Sequence, residues 1–368
     1  MDVADERMAE RGRPAAAVDV ALLARMPKAE LHLHLDGSVR PQTALQLARE
    51  RGLDEGMDLA AVAARLRAPD QCRDQAELLE AFQLPIRLLQ DREALERVTH
   101  ELVEDAASDG TRYVEIRWAP ALHVAGGLDL RQSIAAVVGG ARSGAAAARG
   151  CTVRLIAVAM RSHPPQMSVA VAHEAARFIG DGLTGFDLAG PEAAYPDPLL
   201  HADAFAAARA EGLGITLHAG ESGGAAQVWR ALEVGPARIA HGAPAADDPA
   251  LTAELAARGV TLDLCPTSNV QAGIVARLAD HPLPHLARSG VPVTLSTDDR
   301  TVSGLTLVEE YRRAIDVLGL SIDELWRINM HVLRVAFLHH DEALRRRLIG
   351  EFEEFAAREP ELASTATS

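Results

Sequence analysis

The run Glu30-Leu31-His32-Leu33-His34-Leu35-Asp36-Gly37 alternates polar and apolar residues with a period of two. In an extended strand that spacing puts His32, His34 and Asp36 on one face and Leu31, Leu33 and Leu35 on the other. Ordinary strand packing gives no reason to gather two imidazoles and a carboxylate, so the polar face reads as half of a metal site. A half-exposed edge strand produces the same pattern, and the decision comes from three runs farther along. Gly214-Ile215-Thr216-Leu217-His218-Ala219-Gly220-Glu221 carries an apolar run into a histidine, a glycine turn and a glutamate. Arg238-Ile239-Ala240-His241-Gly242 ends in another histidine, and residues 291–299 finish on Asp298 and Asp299. Adjacent carboxylates repel unless a cation or a donor sits nearby. One such ending alone fits a surface histidine or a helix cap. Four, always with the polar residues on the C-terminal side, call for a common site.

The elements that must bring these endings together are strands alternating with helices. Strands are expected near 30–36, 112–119, 153–160, 184–189, 214–219, 238–241, 260–265 and 292–297, with Ala-rich helical patterns between them, among them 199–211, 227–234, 248–258 and 305–317. Eight β-then-α units predict an α/β fold of the (β/α)8 TIM type, in which chemistry sits at the C-terminal ends of the strands. His34, His218, His241 and Asp298 then converge on one mouth. The stretch 37–111 reads as a helical insertion after strand one, a lid over that mouth, with Phe82, Leu84 and Leu88 either lining it or packing helix on helix. No Pro/Gly/Ser-rich linker divides the 368 residues, so one domain over 14–358 is expected, with a disordered start at 1–13 and a flexible end at 359–368.

Composition narrows the class. Hydrophobic residues make up 48% and charged ones 24%, enough for a substantial core, and no apolar run approaches a membrane span. The acidic first dozen residues carry no secretory h-region, and the three cysteines, Cys72, Cys151 and Cys265, are odd in number and widely spaced, so a cytoplasmic protein with reduced thiols is expected. A net charge of −15 argues against a nucleic-acid partner, since phosphate contacts need clustered Lys and Arg.

Lys28 is the only lysine, and it precedes strand one. Two-metal barrel hydrolases bridge their ions with a carbamylated lysine from a middle strand, and the fourth strand here, Gly185-Phe186-Asp187-Leu188-Ala189-Gly190, has none. A single ion is expected, held by His32, His34, His218 and Asp298, a donor set that suits Zn2+ with room for water. Iron, cobalt or manganese would fit the same ligands. Glu115 and Arg117 in strand two read as an internal ion pair, and Cys265 as a small buried residue; no Cys-x-x-Cys follows it, which excludes the zinc deaminases built on that signature.

From about residue 26 to 355 the chain resembles the adenosine/AMP deaminase family, through MPKAELHLHLDGSVRP, YVEIRWAP, GFDLAGPE, ITLHAGE, RIAHG, LCPTSNVQAG and VTLSTDD in that order. The resemblance implies zinc bound by His32, His34, His218 and Asp298, Glu221 as proton donor, His241 as the base beside the activated water, and Asp36, Gly190, Asp299 and His34 as contacts to a purine nucleoside. Gly190 as a plain turn glycine and Asp36 as a helix cap are the competing readings. The implied activity is deamination of adenosine and 2′-deoxyadenosine to the inosine products and ammonia. Adenine, N6-methyl, 5′-modified or aminofutalosine-type substrates are alternatives, as are a cyclic-amide hydrolase or a non-catalytic nucleoside-binding barrel. Two positions depart from the family pattern. Arg300 stands where many relatives have proline, and Pro191 where many have an acid, with Glu192 next in line to replace it.

Overall fold

A computed structural model describes residues 20–148 and 150–362. Eight parallel strands follow one another around a barrel in chain order: β1 Lys28–His34, β2 Thr111–Trp118, β3 Thr152–Met160, β4 Leu183–Ala189, β5 Gly214–Ala219, β6 Arg238–His241, β7 Thr261–Leu264 and β8 Val293–Leu295. Every expected strand is present, each end within two residues. The seam between β1 and β8 is closed just beyond the short eighth strand, where the Asp298 N–H donates to the His32 carbonyl at 3.0 Å and His34 N–H to the Asp298 carbonyl at 2.7 Å. That seam therefore carries three of the four expected ligands.

The outward faces of the strands pack into one continuous apolar layer beneath the helices; Leu31, Leu33, Ile116, Leu188, Leu217 and Leu262 are wholly buried there. Helix starts follow from local chemistry. Asp58, Asp74, Asp91 and Asp248 each accept a backbone N–H of the first turn, and Thr306 with Glu309 and Ser321 with Glu324 form reciprocal capping boxes. The expected helices 199–211, 227–234, 248–258 and 305–317 appear as Pro198–Ala210 (its first turn 3-10), Gly224–Val234, Pro249–Arg258 and Leu307–Asp316.

The insertion between β1 and β2 is helical throughout, with helices Pro41–Glu50, Leu59–Leu66, Gln75–Leu79, Gln83–Leu88 and Arg92–Ser108. Leu84 and Leu88 join the main core, whereas Phe82 and Leu78 belong to a smaller cluster over the barrel mouth. Of the segment 359–368, residues 359–362 are packed: Glu359 pairs with Arg25 and Leu362 is buried. Residues 1–13, and 363–368 at the other end, lie outside the described residues. Among the described residues no helix is long and apolar enough to cross a membrane.

Candidate active site

The C-terminal mouth of the barrel gathers His32 and His34 from β1, His218 from β5, His241 from the end of β6, and Asp298 from the turn after β8. His32 Nε2 lies 3.3 Å from His34 Nε2 and 3.0 Å from Asp298 Oδ1; His34 Nε2 lies 3.2 Å from His218 Nε2 and 3.4 Å from Asp298 Oδ1. Ligands about 2.0–2.1 Å from a tetrahedral Zn2+ stand about 3.3–3.4 Å from one another. The four separations bracket that edge, so these residues fit one small cation. Burial lowers the proton affinity of His32 and His34, the latter to about 3, leaving neutral rings able to ligate. His32, His218, His241 and Asp298 also place donor atoms within 4.8 Å of one another.

Two backbone features mark the site. His241 and Asp298 are non-glycine residues at φ +66° and +65°, a conformation that costs of order 1–3 kcal/mol and turns both side chains inward from strand ends. The network beneath holds the ligands still. Asp187 in β4 accepts from His218 Nδ1 at 3.1 Å and from Arg117 Nη1 at 2.9 Å. Burial alone would raise the Asp187 carboxyl, but His218 and Arg117 outweigh it and hold it well below the usual carboxylate range. Ser268 Oγ donates to Asp298 Oδ2 at 2.6 Å, and Glu30 anchors the β8 turn through the N–H and hydroxyl of Thr297. Glu115 and Arg117 do not pair with each other as expected. Both point into the barrel but lie in different layers, so each reaches across it, Glu115 to Arg238 and Arg117 to Asp187.

Beside the cluster is a cavity of about 90 Å³, lined by Asp36, Gly190, Glu221 and Asp299 and, on its apolar side, by Leu78, Leu79, Phe82, Ile86, Val158 and Met160. Among the described residues no Lys or Arg lines it. Asp36 Oδ1 and Asp299 Oδ1 are buried without a hydrogen-bond partner. Burial pushes Glu221 up to about 7 and Asp36 up to about 6; burial together with Asp298 and Asp36 holds Asp299 well above the carboxylate range. Asp36 caps no helix, since it sits in a 3-10 turn and the next helix, Pro41–Glu50, starts after Arg40. Gly190 adopts φ +111°, and a Cβ there would lie 3.0 Å from Met160 Cε. A larger hollow of about 620 Å³ opens at the opposite end of the barrel, near Arg142, Arg154 and His340, and contains none of these groups.

Neither departure from the family pattern reaches the cavity. Arg300 points away from it into ion pairs with Glu30 and Asp109, and Pro191 is absent from its walls. Glu192 does not replace an acid at the pocket edge. It turns to accept the N–H groups of Gly220, Ser222 and Gly223, and so clamps the turn that presents Glu221. Gln75 of the lid accepts from the Glu192 N–H at 3.0 Å and from Ser222 Oγ at 3.2 Å, tying lid to turn. Asp187, Gln75, Gly37 and Asn269, whose Nδ2 is 2.9 Å from His241 Nδ1, are site residues that the motifs alone did not single out.

The comparisons agree with this geometry. A protein of Mycobacteroides abscessus named adenosine deaminase is 39% identical over 347 residues, covering 89% of this chain and 95% of that one. An amidohydrolase of Burkholderia ambifaria solved with bound Zn superposes with a TM-score of 0.82 at 26% identity over 96% of each chain. The Arabidopsis N6-mAMP deaminase does so with a TM-score of 0.81 at 28% identity, over 91% of this chain and 99% of that one. Residues 27–354 match the family described as adenosine deaminase, and with nearly the whole barrel inside that match the chain belongs to this family.

Proposed function

We propose that the protein hydrolytically deaminates adenosine and 2′-deoxyadenosine to inosine and 2′-deoxyinosine with release of ammonia, using one Zn2+ per chain. The observation that carries the reading is the placement of Glu221, Asp299 and Asp36 around one cavity against a His/Asp cluster of tetrahedral dimensions, with burial raising the proton affinity of all three carboxyls. His32, His34, His218 and Asp298 would hold the ion. When bound, zinc supplies a nucleophile from water at neutral pH by lowering the pKa of that water to about 7.

The protein's own groups account for the rest. Addition at C6 of the purine needs the ring made electrophilic, and Glu221, protonated up to about pH 7, donates to N1 as the tetrahedral centre forms. General acid catalysis of this kind contributes roughly 10²–10⁴-fold. Asp299 keeps its proton and donates to N7, and the backbone N–H of Gly190 approaches N3 where no Cβ intervenes. His241, 3.4 Å from Glu221 Oε1, orients the attacking water. Asp36 accepts a ribose hydroxyl. A 5′-phosphate would meet Asp36, raised only to about 6 and so ionised at neutral pH, and among the described residues no Lys or Arg lines the cavity to give it a charge-assisted hydrogen bond, which favours a nucleoside over a nucleotide. Absorbance spectra on a panel of adenosine, 2′-deoxyadenosine, adenine, N6-methyladenosine and AMP test the reading, because loss of the 6-amino group shifts the purine band. The expected result is turnover of the first two, abolished by a strong chelator and restored by Zn2+. Full activity in metal-free protein, or turnover of AMP above adenosine, refutes it.

A further inference from the structure

His241 Nδ1 meets a side-chain donor where His218 Nδ1 meets an acceptor, and the reason is traceable to a helix start. The N–H groups of a helix's first turn lack partners within the helix. In helix Leu283–Arg288 the Leu283 N–H is satisfied by His281 Nδ1, at 3.2 Å. A backbone N–H can only donate, so His281 Nδ1 carries a lone pair and its proton sits on Nε2. Burial keeps that ring neutral, pushed down to about 3. His281 Nε2–H lies 3.0 Å from Asn269 Oδ1 and donates to it, which fixes which end of the amide is which. The remaining end, Asn269 Nδ2–H, lies 2.9 Å from His241 Nδ1. Asn269 is wholly buried, and His281 and His241 nearly so, so no solvent competes for these bonds.

We infer that Asn269 and His281 are positioning residues that transmit the direction of the Leu283 N–H to His241, so that His241 bears its single proton on Nε2, facing Glu221 and Asp298. A second proton on Nδ1 would confront the Asn269 amide donor. His241 Nε2–H is directed toward Glu221 Oε1 at 3.4 Å and Asp298 Oδ2 at 3.8 Å. His241 then meets the substrate as a hydrogen-bond donor, able to hold the attacking oxygen and stabilise charge developing on it, in place of the base that the family resemblance implies. The same chain separates His241 from the metal ligands. His218 donates its outer N–H to Asp187, the arrangement that steadies a ligating imidazole, whereas His241 has no outer N–H to give. The inference rests on the deaminase reading only for its effect on turnover; the proton's position is a property of the folded holoenzyme.

The test pairs spectroscopy with two variants. Long-range proton–nitrogen correlation of 15N-histidine holoenzyme, with the His241 signal identified by its loss in His241→Gln, is expected to show Nε2 protonated and Nδ1 bare; the opposite tautomer overturns the inference whatever the activity. Asn269→Asp preserves shape but faces His241 with an acceptor. It is expected to move the proton to Nδ1, keep metal content at the native level and lower kcat by roughly 10–100-fold with little change in KM. Asn269→Ala removes both bonds without imposing a tautomer and should harm kcat less than Asn269→Asp does. If packing alone mattered, the isosteric variant would be the milder one, and that order, or an unmoved proton in Asn269→Asp, refutes the inference.

Discussion

Asp187 offers the sharpest test of how the barrel interior serves the metal cluster. Three donors converge on its carboxylate: His218 Nδ1 at 3.1 Å, Arg117 Nη1 at 2.9 Å and the Leu188 N–H at 2.7 Å. Asp187→Asn keeps the volume but offers one oxygen and one NH2 group, so the NH2 must face a donor. If the amide turns its oxygen to Arg117, His218 loses its orienting acceptor; if it turns to His218, a wholly buried guanidinium loses its main partner. Removing one partner of a buried ion pair costs about 3–5 kcal/mol. Here the lower end applies, because Asp263 Oδ2 lies 3.8 Å from the same guanidinium and Leu31 O accepts from it at 2.7 Å. Loss of the acceptor behind a metal-binding histidine weakens the metal about 10–100-fold, or about 1.4–2.7 kcal/mol. Chemical denaturation of metal-free protein reads the first quantity, and a competitive chelator titration at fixed pH reads the second. A zinc affinity within twofold of the native value, whatever the stability, would show that Asp187 serves only the ion network.

Four further expectations concern the cavity. Glu221→Gln should keep its metal while turnover falls roughly 10²-fold or more, and joint loss of metal and turnover would make Glu221 a ligand instead. The acid form of Glu221 is the active one and its affinity for the proton is raised from 4.5 to about 7, so kcat/KM should hold steady below its midpoint and fall tenfold per pH unit above it. A bound dication draws that midpoint below 7 and burial keeps it above 4.5; a pH profile with no alkaline limb would refute the assignment. Gly37→Ala would set a Cβ 1.6 Å from Asp299 Oδ1, so the carboxyl must leave its place: turnover should drop with metal content unchanged, at about 1–3 kcal/mol of stability. Asp36→Ala should weaken kcat/KM for adenosine by about 1.5–3 kcal/mol and narrow the gap to AMP, and an unaltered ratio would place the ribose elsewhere.

What the chain discloses in one dimension is the part of the site that is contiguous in it. His32, His34 and Asp36 advertise themselves because a period-two pattern carries polar residues where a barrel strand would otherwise be apolar, and Glu221 follows His218 across a single turn. The supporting residues are absent from any such local pattern. Asp187 lies two residues before Ala189 in a strand that reads as apolar, and its tie to His218 exists only once β4 stands beside β5. Glu192 is adjacent to the departure at Pro191, yet its function depends on the 220–223 turn folding over it. Asn269 and His281 sit inside a recognisable segment and just before a helix start respectively, but their partnership is set by how the single connection from β7 to β8 folds back on itself. Glu115 and Arg117, two apart on one strand, suggested a pair because sequence spacing reports the shared face and not the layer. Arg300, a departure from the family pattern whose role the sequence left unstated, is a brace between Glu30 and Asp109.

The carboxyls of the mouth and those below it differ in the charged partners they meet. In the barrel interior Glu115, Asp187 and Asp263 share two guanidinium groups, Arg117 and Arg238, and the acids there have cations within bonding distance. At the mouth Asp36, Asp298, Asp299 and Glu221 have no arginine or lysine among the cavity walls. Asp298, hydrogen-bonded to Ser268 and in contact with three imidazoles, is held below the usual carboxylate range, whereas burial raises the other three, Asp36 to about 6, Glu221 to about 7 and Asp299 well above the range, so that Glu221 and Asp299 are the two placed to keep protons near neutral pH. A carboxyl that keeps its proton is a donor, and donors are what the acceptor nitrogens of a purine ring require. Supplying a lysine here, as in Leu79→Lys, would ionise Glu221 and Asp299 and so remove the donors while making the cavity more attractive to a phosphate. On the proposed function, the lack of basic side chains among these described walls bears on two properties together, the preference for a nucleoside over a nucleotide and the proton supply that lets the ring be attacked.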